Sequence, residues 1–422
     1  MRDPISAAFS VLRPAHGKVA AGLLIATTAG LVLLQDFLWI VLVPCLIALA
    51  VRHIGGSPRT FRVSWTSPLV WMLLLYCAYL LGLAWSTNFD YALFDLQVKA
   101  PMLVVPLVVF SVPEGSRIGG RELLLVFSWA CALAVAFCAV VACWRYGTHW
   151  WGYHVSGTAT VPTTVYFISS EFSRFMHPSY FALYLCFALA SCDFPSTRWS
   201  RVDVLLMSLI VLGILLSASK AGWIALAAYW GVLAIMRWKD GAERKRRLMA
   251  GTLVAAVLAL LVFASPFFSE KVDQFKNAAQ GAPVDVSAAG STESREMIWG
   301  EALPLISEHL PLGTGTGDVK DVLLANYAEA GFTHAVELKL NAHSQLLQTP
   351  LTLGLIGAVL LLLHFALPLI HAARHRDGLM LAFLCFVLFN WAVESMLETQ
   401  AGVVVLAWGA LLLAFRAPDT SA

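Results

Sequence analysis

About twelve apolar segments run through the chain, at roughly 20–34, 37–51, 68–85, 100–112, 122–143, 179–194, 203–219, 221–236, 249–265, 345–370, 378–394 and 400–415. No soluble domain of this size needs so many, and long apolar runs with few charges are the mark of membrane helices. The fold expected is all-α and polytopic, with about 12 transmembrane helices. Composition agrees: of 422 residues, 59% are hydrophobic and only 13% are charged. The net charge of +2 gives no electrostatic reason to expect nucleic acid as a partner. The eight cysteines lie in or beside apolar runs and none forms CxxC, so they read as small buried hydrophobes. The first apolar run lacks a clear A-x-A cleavage site and another follows at once, so it is expected to be retained.

Charge orients the spans. With the N-terminus in the cytoplasm, nineteen of the twenty-eight Lys and Arg fall inside and nine outside. Five of the nine (Lys271, Lys276, Arg295, Lys320 and Lys339) lie in one long segment, where the positive-inside rule is weak; the remaining four are Lys99, Arg145, Arg174 and Lys220. Nineteen against four in the short loops is a clear bias, and an even number of spans puts both termini in the cytoplasm. Three divisions follow: 1–265 with spans 1–9, 266–344 as a long outer loop, and 345–422 with spans 10–12. A loop of nearly eighty residues is usually functional. Its "REMIWGEALPLI" stretch has helical spacing, with Met297, Ile298, Ala302, Leu305 and Ile306 on one face.

The outer face carries the ionisable side chains. In "NAHSQLLQTPLTLGLIG", Asn341 is expected to cap a helix running through Leu360, which puts His343 in its first turn. The positive helix end disfavours imidazolium, so His343 would be a neutral ring suited to general-base work. The alternative is an interfacial histidine with no chemistry. Gly354 and Gly357 are small residues that would let neighbouring helices approach. Arg295 heads the amphipathic stretch and could fork onto a phosphate, or could be a solvated loop residue. Lys220 sits between two spans with almost no loop, where cations are costly and usually functional unless they snorkel. Arg174 is a fourth cation, three residues before His177. Gly313, Gly315 and Gly317 could present amides to an anion or simply make a tight turn. No DxD or HExxH occurs, so no metal is expected, and charge on a leaving phosphate would fall to Lys and Arg.

"HSQLLQTPLTLGLIG" fits H-[NSQ]-x9-G-x-x-G without a gap, through His343, Ser344, Gly354 and Gly357. With "SASKAGW", "SREMIWGEALPLISEHLPLGTGTG" and "HPSYFALYL" in the same order, residues 170–360 resemble the O-antigen ligase and polymerase superfamily. The resemblance implies a GT-C-type glycosyltransferase of the Gram-negative inner membrane with a periplasmic site and no cofactor. Its partners would be undecaprenyl-pyrophosphate-linked O-antigen, lipid A–core oligosaccharide and membrane lipids. Carried across residue by residue, His343 is the base and Arg295 a pyrophosphate ligand. Lys220 stands where the family more often has arginine, keeping the charge and losing the planar fork. Arg174 is a second-rank phosphate ligand. Rival readings are a polymerase, a protein O-oligosaccharyltransferase and, from another class, a transporter of polyprenyl-linked glycans, which should show an inverted repeat and interrupted helices.

Overall fold

The computed structural model describes residues 22, 24–33, 64–111, 120–157, 164–194, 199–237, 249 and 292–415. The segment expected at 37–51, nearly all of that at 249–265, and residues 266–291 lie outside them. The described residues form helices and no strand. The longer ones, in chain order, are α1 (Leu24–Leu33), α2 (Pro68–Leu81), α3 (Phe89–Lys99), α4 (Pro101–Ser111), α5 (Gly120–Trp151), α6 (Pro178–Asp193), α7 (Arg201–Leu216) and α8 (Lys220–Arg237). They continue with α9 (Thr292–Glu308), α10 (Val319–Glu329), α11 (Gln345–Arg374), α12 (Gly378–Val393) and α13 (Gln400–Phe415). Among the described residues, three stretches are long and apolar enough to cross a membrane: Pro68–Trp85, Gly120–Ser156 and Gln345–Arg374. Shorter apolar helices accompany them, and the chain is a membrane protein.

The bundle is built around α6. Pro178 opens it, and every residue from Pro178 to Asp193 is buried. A helix apolar on all sides belongs in the middle of a bundle, and α5, α7, α8, α12 and α13 surround it. Close helix contacts lie there: a Cβ added to Gly222 of α8 would stand 2.4 Å from Ala182 Cβ of α6, and one on Gly213 of α7 would stand 3.0 Å from Leu185 Cδ1 of α6 and 2.4 Å from Val135 Cγ2 of α5. On the outside, Leu133, Phe137 and Val140 of α5 and Leu355, Val359 and Leu362 of α11 are exposed, as lipid-facing positions must be. α5 is 32 residues long. At ~1.5 Å per residue it spans about 48 Å and outreaches a ~30 Å hydrocarbon core. Its end carries exposed Trp144, Trp150 and Trp151, the residues of an interfacial belt.

Contacts at the two ends fit an up-and-down order of the later helices. At one end the Arg376 guanidinium donates to the Met236 carbonyl (3.0 Å), and Gly378 abuts Phe194. At the other end Ser179, Ser219, residues 343–345 and residues 394–397 meet.

α11 is not one straight helix. Gly354 has φ 58° and ψ −141°, a conformation open to glycine alone, and the helix breaks there. The carbonyls of Leu351 and Thr352, orphaned by the break, accept from the amides of Thr314 (2.9 Å) and Gly315 (3.0 Å). The Leu355 amide donates to the Pro311 carbonyl (2.8 Å). Residues 311–315 therefore fill the break and satisfy its backbone, as non-helical chain at membrane depth requires. The same loop continues to α2: the Thr316 hydroxyl donates to the Tyr79 carbonyl (2.7 Å), and the Gly317 amide to Ser86 Oγ (2.9 Å). Asp318 then accepts from both the amide and hydroxyl of Thr87 and from the Asn88 amide. A second small core, with Ile298, Ala302 and Leu305 of α9, Leu323 and Tyr327 of α10 and Leu351 of α11, completes the junction. The described part of the long loop is thus welded to the bundle.

Candidate functional site

The end of the bundle where α11 begins holds a buried carboxylate, Glu394, with an arginine and a histidine beside it. Glu394 follows the last residue of α12, in a short non-helical link, and is 5% exposed. Its Oε1 accepts from Arg295 Nη2 (2.8 Å) and from the Ser179 hydroxyl (3.1 Å). Its Oε2 lies 3.7 Å from His343 Nδ1, within ion-pair reach and longer than a hydrogen bond. α9 delivers the arginine, the start of α6 the serine, and the link before α11 the histidine.

The local chain fixes these positions. His343 has φ 46°, left-handed and strained for a residue with a Cβ. Asn341 Oδ1 accepts from its amide (3.0 Å). The Ser344 amide donates to Ser395 Oγ (3.2 Å), and the Gln345 amide to the Glu394 carbonyl (3.1 Å). Gln345 Oε1 in turn accepts from the Leu397 amide (2.7 Å). These side-chain and backbone bonds stitch the two links that carry His343 and Glu394 to each other.

Electrostatics favour an ionised Glu394. Burial pushes its carboxyl up, but His343, the Arg295 guanidinium and His177 outweigh burial and hold it below the ordinary carboxylate value. His177, at the cap of α6, is pulled below its ordinary value by loss of water, with Arg295 and His343 adding to the effect and Glu394 opposing it. Among the described residues neither ring nitrogen of His343 has a hydrogen-bond partner. Both ring nitrogens are buried, and Nδ1 is the one turned towards Glu394. An imidazole backed by a carboxylate can accept a proton, and a guanidinium beside it can bind an anion.

The structure joins two of the four ionisable residues expected from sequence, Arg295 and His343. Arg295 and His343 share Glu394. Lys220 opens α8 one residue after Ser219, whose hydroxyl donates to Ser179 Oγ (3.4 Å), the same hydroxyl that donates to Glu394. Arg174 is exposed, with its main chain against Cys138 of α5, and among the described residues no hydrogen bond or ion pair ties it to Glu394, His343 or Arg295.

Several expectations are corrected. Asn341 does not cap α11; Ser344 holds that position, and His343 lies ahead of the helix instead of in its first turn, because Asn341 spends its carbonyl on the His343 amide. Gly354 is a helix break and not a packing contact, and a Cβ there would stand 2.0 Å from the Pro311 carbonyl oxygen. Gly357 faces its own helix across the break, 2.9 Å from the Thr349 carbonyl oxygen in the same sense. Gly313, Gly315 and Gly317 form turns whose amides are spent on the His309 and Thr352 carbonyls and Ser86 Oγ, leaving none of the three for an anion. Glu394, Ser179 and the link 394–397 were not singled out in the sequence. Glu394 reads there as the last residue of an apolar span, yet a carboxylate at that depth is itself a signal of function.

A family model described as O-antigen ligase matches residues 205–362. The match takes in Lys220, Arg295, His343 and the break at Gly354; Ser179 and Glu394 lie to either side of it. No curated protein matches the chain.

Proposed function

We propose that this chain, a member of the O-antigen ligase family through residues 205–362, is an O-antigen ligase. It moves the O-antigen glycan from undecaprenyl pyrophosphate to a hydroxyl of the lipid A–core oligosaccharide. It works as an inverting, metal-independent GT-C-type glycosyltransferase on the periplasmic face of the inner membrane. The observation that carries this reading is the shared carboxylate: Arg295 at 2.8 Å and His343 at 3.7 Å on the two oxygens of Glu394. On this reading Arg295 is the anion-binding group and His343 the proton acceptor, one side chain's width apart.

In the reaction, the acceptor oxygen bonds to the anomeric carbon while the bond from that carbon to the pyrophosphate oxygen breaks. The electron pair of the broken bond leaves with the pyrophosphate, and the acceptor proton passes to His343 Nε2. Arg295, and Lys220 from the start of α8, offset the charge that gathers on the leaving group. Attack opposite the leaving group inverts the anomeric centre. Arg174 is kept as an outer ligand that guides the pyrophosphate inward. The superfamily alternative is a polymerase, which uses the same donor and a second lipid-linked repeat as acceptor.

A transporter would also need cations here, and the broken α11 is a feature that reading predicts. In transporters, however, the unwound backbone coordinates the cargo. Here those backbone groups bond to residues 311–315, which favours an enzyme.

The test is transfer by purified protein in EDTA, with lipid-linked donor and either lipid A–core or further donor as acceptor. Product on lipid A–core in EDTA is expected. Lengthened donor alone would make the protein a polymerase, and loss of transfer in EDTA would contradict leaving-group stabilisation by cations.

A further inference from the structure

We infer that Glu394 is a positioning residue that changes partners during the cycle: it holds Arg295 while the site is empty, and hands it to the donor's pyrophosphate as it takes up His343. The inference deepens the proposed function and rests on its assignment of Arg295 to the pyrophosphate and of His343 to the acceptor proton.

The geometry is that of a carboxylate between two claims. Oε1 already accepts from Arg295 Nη2 and Ser179 Oγ, at 2.8 and 3.1 Å. Oε2 stops short of His343 Nδ1, at 3.7 Å. In this arrangement Arg295 is neutralised, and among the described residues neither His343 nitrogen has a hydrogen-bond partner. Neither group is yet poised for its part in the reaction. A guanidinium already paired binds an anion less well, and an imidazole without a carboxylate on Nδ1 is neither oriented nor supported when it becomes charged.

A pyrophosphate reaching Arg295 competes directly with Glu394 for the guanidinium. It carries more charge than the carboxylate and offers oxygens for both arms of the fork. Once released, Glu394 has to move by less than 1 Å at Oε2 to bond Nδ1–H, since 3.7 Å must shorten only to about 2.8 Å. The backbone need not follow, because the Gln345–Glu394 and Ser344–Ser395 bonds hold both links in place. Among the described residues, the titratable and charged groups that face Glu394 are Arg295 from α9, His343 ahead of α11, and His177 and Tyr180 at the start of α6, beside the Ser179 hydroxyl. Of these, Arg295 and His343 are the pair placed to exchange it. The consequence is an order of events. The donor has to bind before His343 becomes an effective base, so an acceptor hydroxyl arriving at an empty site meets an unassisted imidazole.

The experiment separates binding from turnover. Undecaprenyl pyrophosphate without glycan is the binding probe, titrated against full-length wild type, Glu394→Gln, Ser179→Ala and Arg295→Ala, and against the Arg295→Ala/Glu394→Gln double variant. Glutamine keeps an acceptor for Arg295 and Ser179 and removes the competing charge. The expected result is that Glu394→Gln binds the probe about tenfold more tightly and turns over about 10²- to 10⁴-fold more slowly. A purely structural Glu394 would instead weaken both. Ser179→Ala removes one donor from Oε1 and leaves every charge in place; it should tighten probe binding about two- to threefold. The gain from Glu394→Gln should vanish in the Arg295→Ala background, as coupling through one pair requires. Probe binding by natively eluting Glu394→Gln that is no tighter than wild type, or turnover that is unchanged, would overturn the exchange; should that variant fail to fold, Ser179→Ala decides. A separate failure, full transfer by His343→Ala, would sink the base assignment while the binding arm still decides whether Glu394 and pyrophosphate compete for Arg295.

Discussion

At the scale of single residues, the candidate site contains a histidine, His343, in a conformation that histidines seldom adopt. Left-handed backbone at a β-carbon residue costs on the order of 1 kcal/mol or more and persists only where the surroundings impose it. Here Asn341, Ser395 and Gln345 impose it on His343. His343 and Arg295 were legible in the sequence because an ionisable group on the outer edge of an apolar chain is conspicuous. Glu394 was not, because its partners are 51 and 99 residues away in sequence and no local pattern links them. The pairing has a consequence for stability. The folded Glu394 carboxyl lies below its ordinary value of 4.5, so the folded state binds fewer protons than the unfolded one in the window below that value. Stability from the pair is therefore complete above pH 4.5 and is lost as pH falls through the lower folded value. Thermal unfolding between pH 6 and pH 3.5 should show a steeper acid loss for wild type than for Glu394→Gln, and equal slopes would count against the pairing.

At the scale of elements, α11 was legible as an apolar helix with two glycines, and its break was not. The cause is long-range: the conformation of Gly354 is needed only because residues 311–315 enter at that point. Sequence showed "PLGTGTG" and "TLGLIG" as two glycine-bearing stretches, and the structure bonds one to the other. Any side chain at 354 meets the Pro311 carbonyl oxygen and adopts a glycine-only backbone, which together should cost roughly 3 kcal/mol or more. Gly354→Ala should therefore undock residues 292–344 and abolish transfer with Arg295 and His343 both intact. Limited proteolysis within 292–344, slow in wild type and rapid in the variant, is the readout. Protection equal to wild type would show that the break does not hold the loop.

At the scale of the whole molecule, alternation of apolar runs and the positive charges beside them pointed to the up-and-down course of the later helices. It could not tell which helix is central, since α6 looks no more apolar than its neighbours, nor the depth at which charges are buried. Lys99, fully buried at the end of α3, is an example. It bonds Asp95 and, at 3.1 Å, Glu398, and it stands over the Tyr79 ring. Burial foremost raises the Asp95 carboxyl above its ordinary value, with Lys99 opposing and Glu398 adding to the rise. The triad ties α3 to the link 396–398, four residues beyond Glu394. Lys99→Met would leave two buried carboxylates without their cation, a loss of about 3–5 kcal/mol. It should lower the unfolding temperature far more than Lys99→Met combined with Asp95→Asn and Glu398→Gln, and equal losses would make the triad's charge balance irrelevant.

The claim on which the rest stands is that His343 takes the acceptor proton. It is tested most directly by single-turnover transfer to lipid A–core with wild type and His343→Ala, with binding of undecaprenyl pyrophosphate measured on the same samples. The expected result is binding within a few-fold of wild type and transfer slowed by about 10²- to 10⁴-fold. Transfer by His343→Ala at the wild-type rate would contradict it.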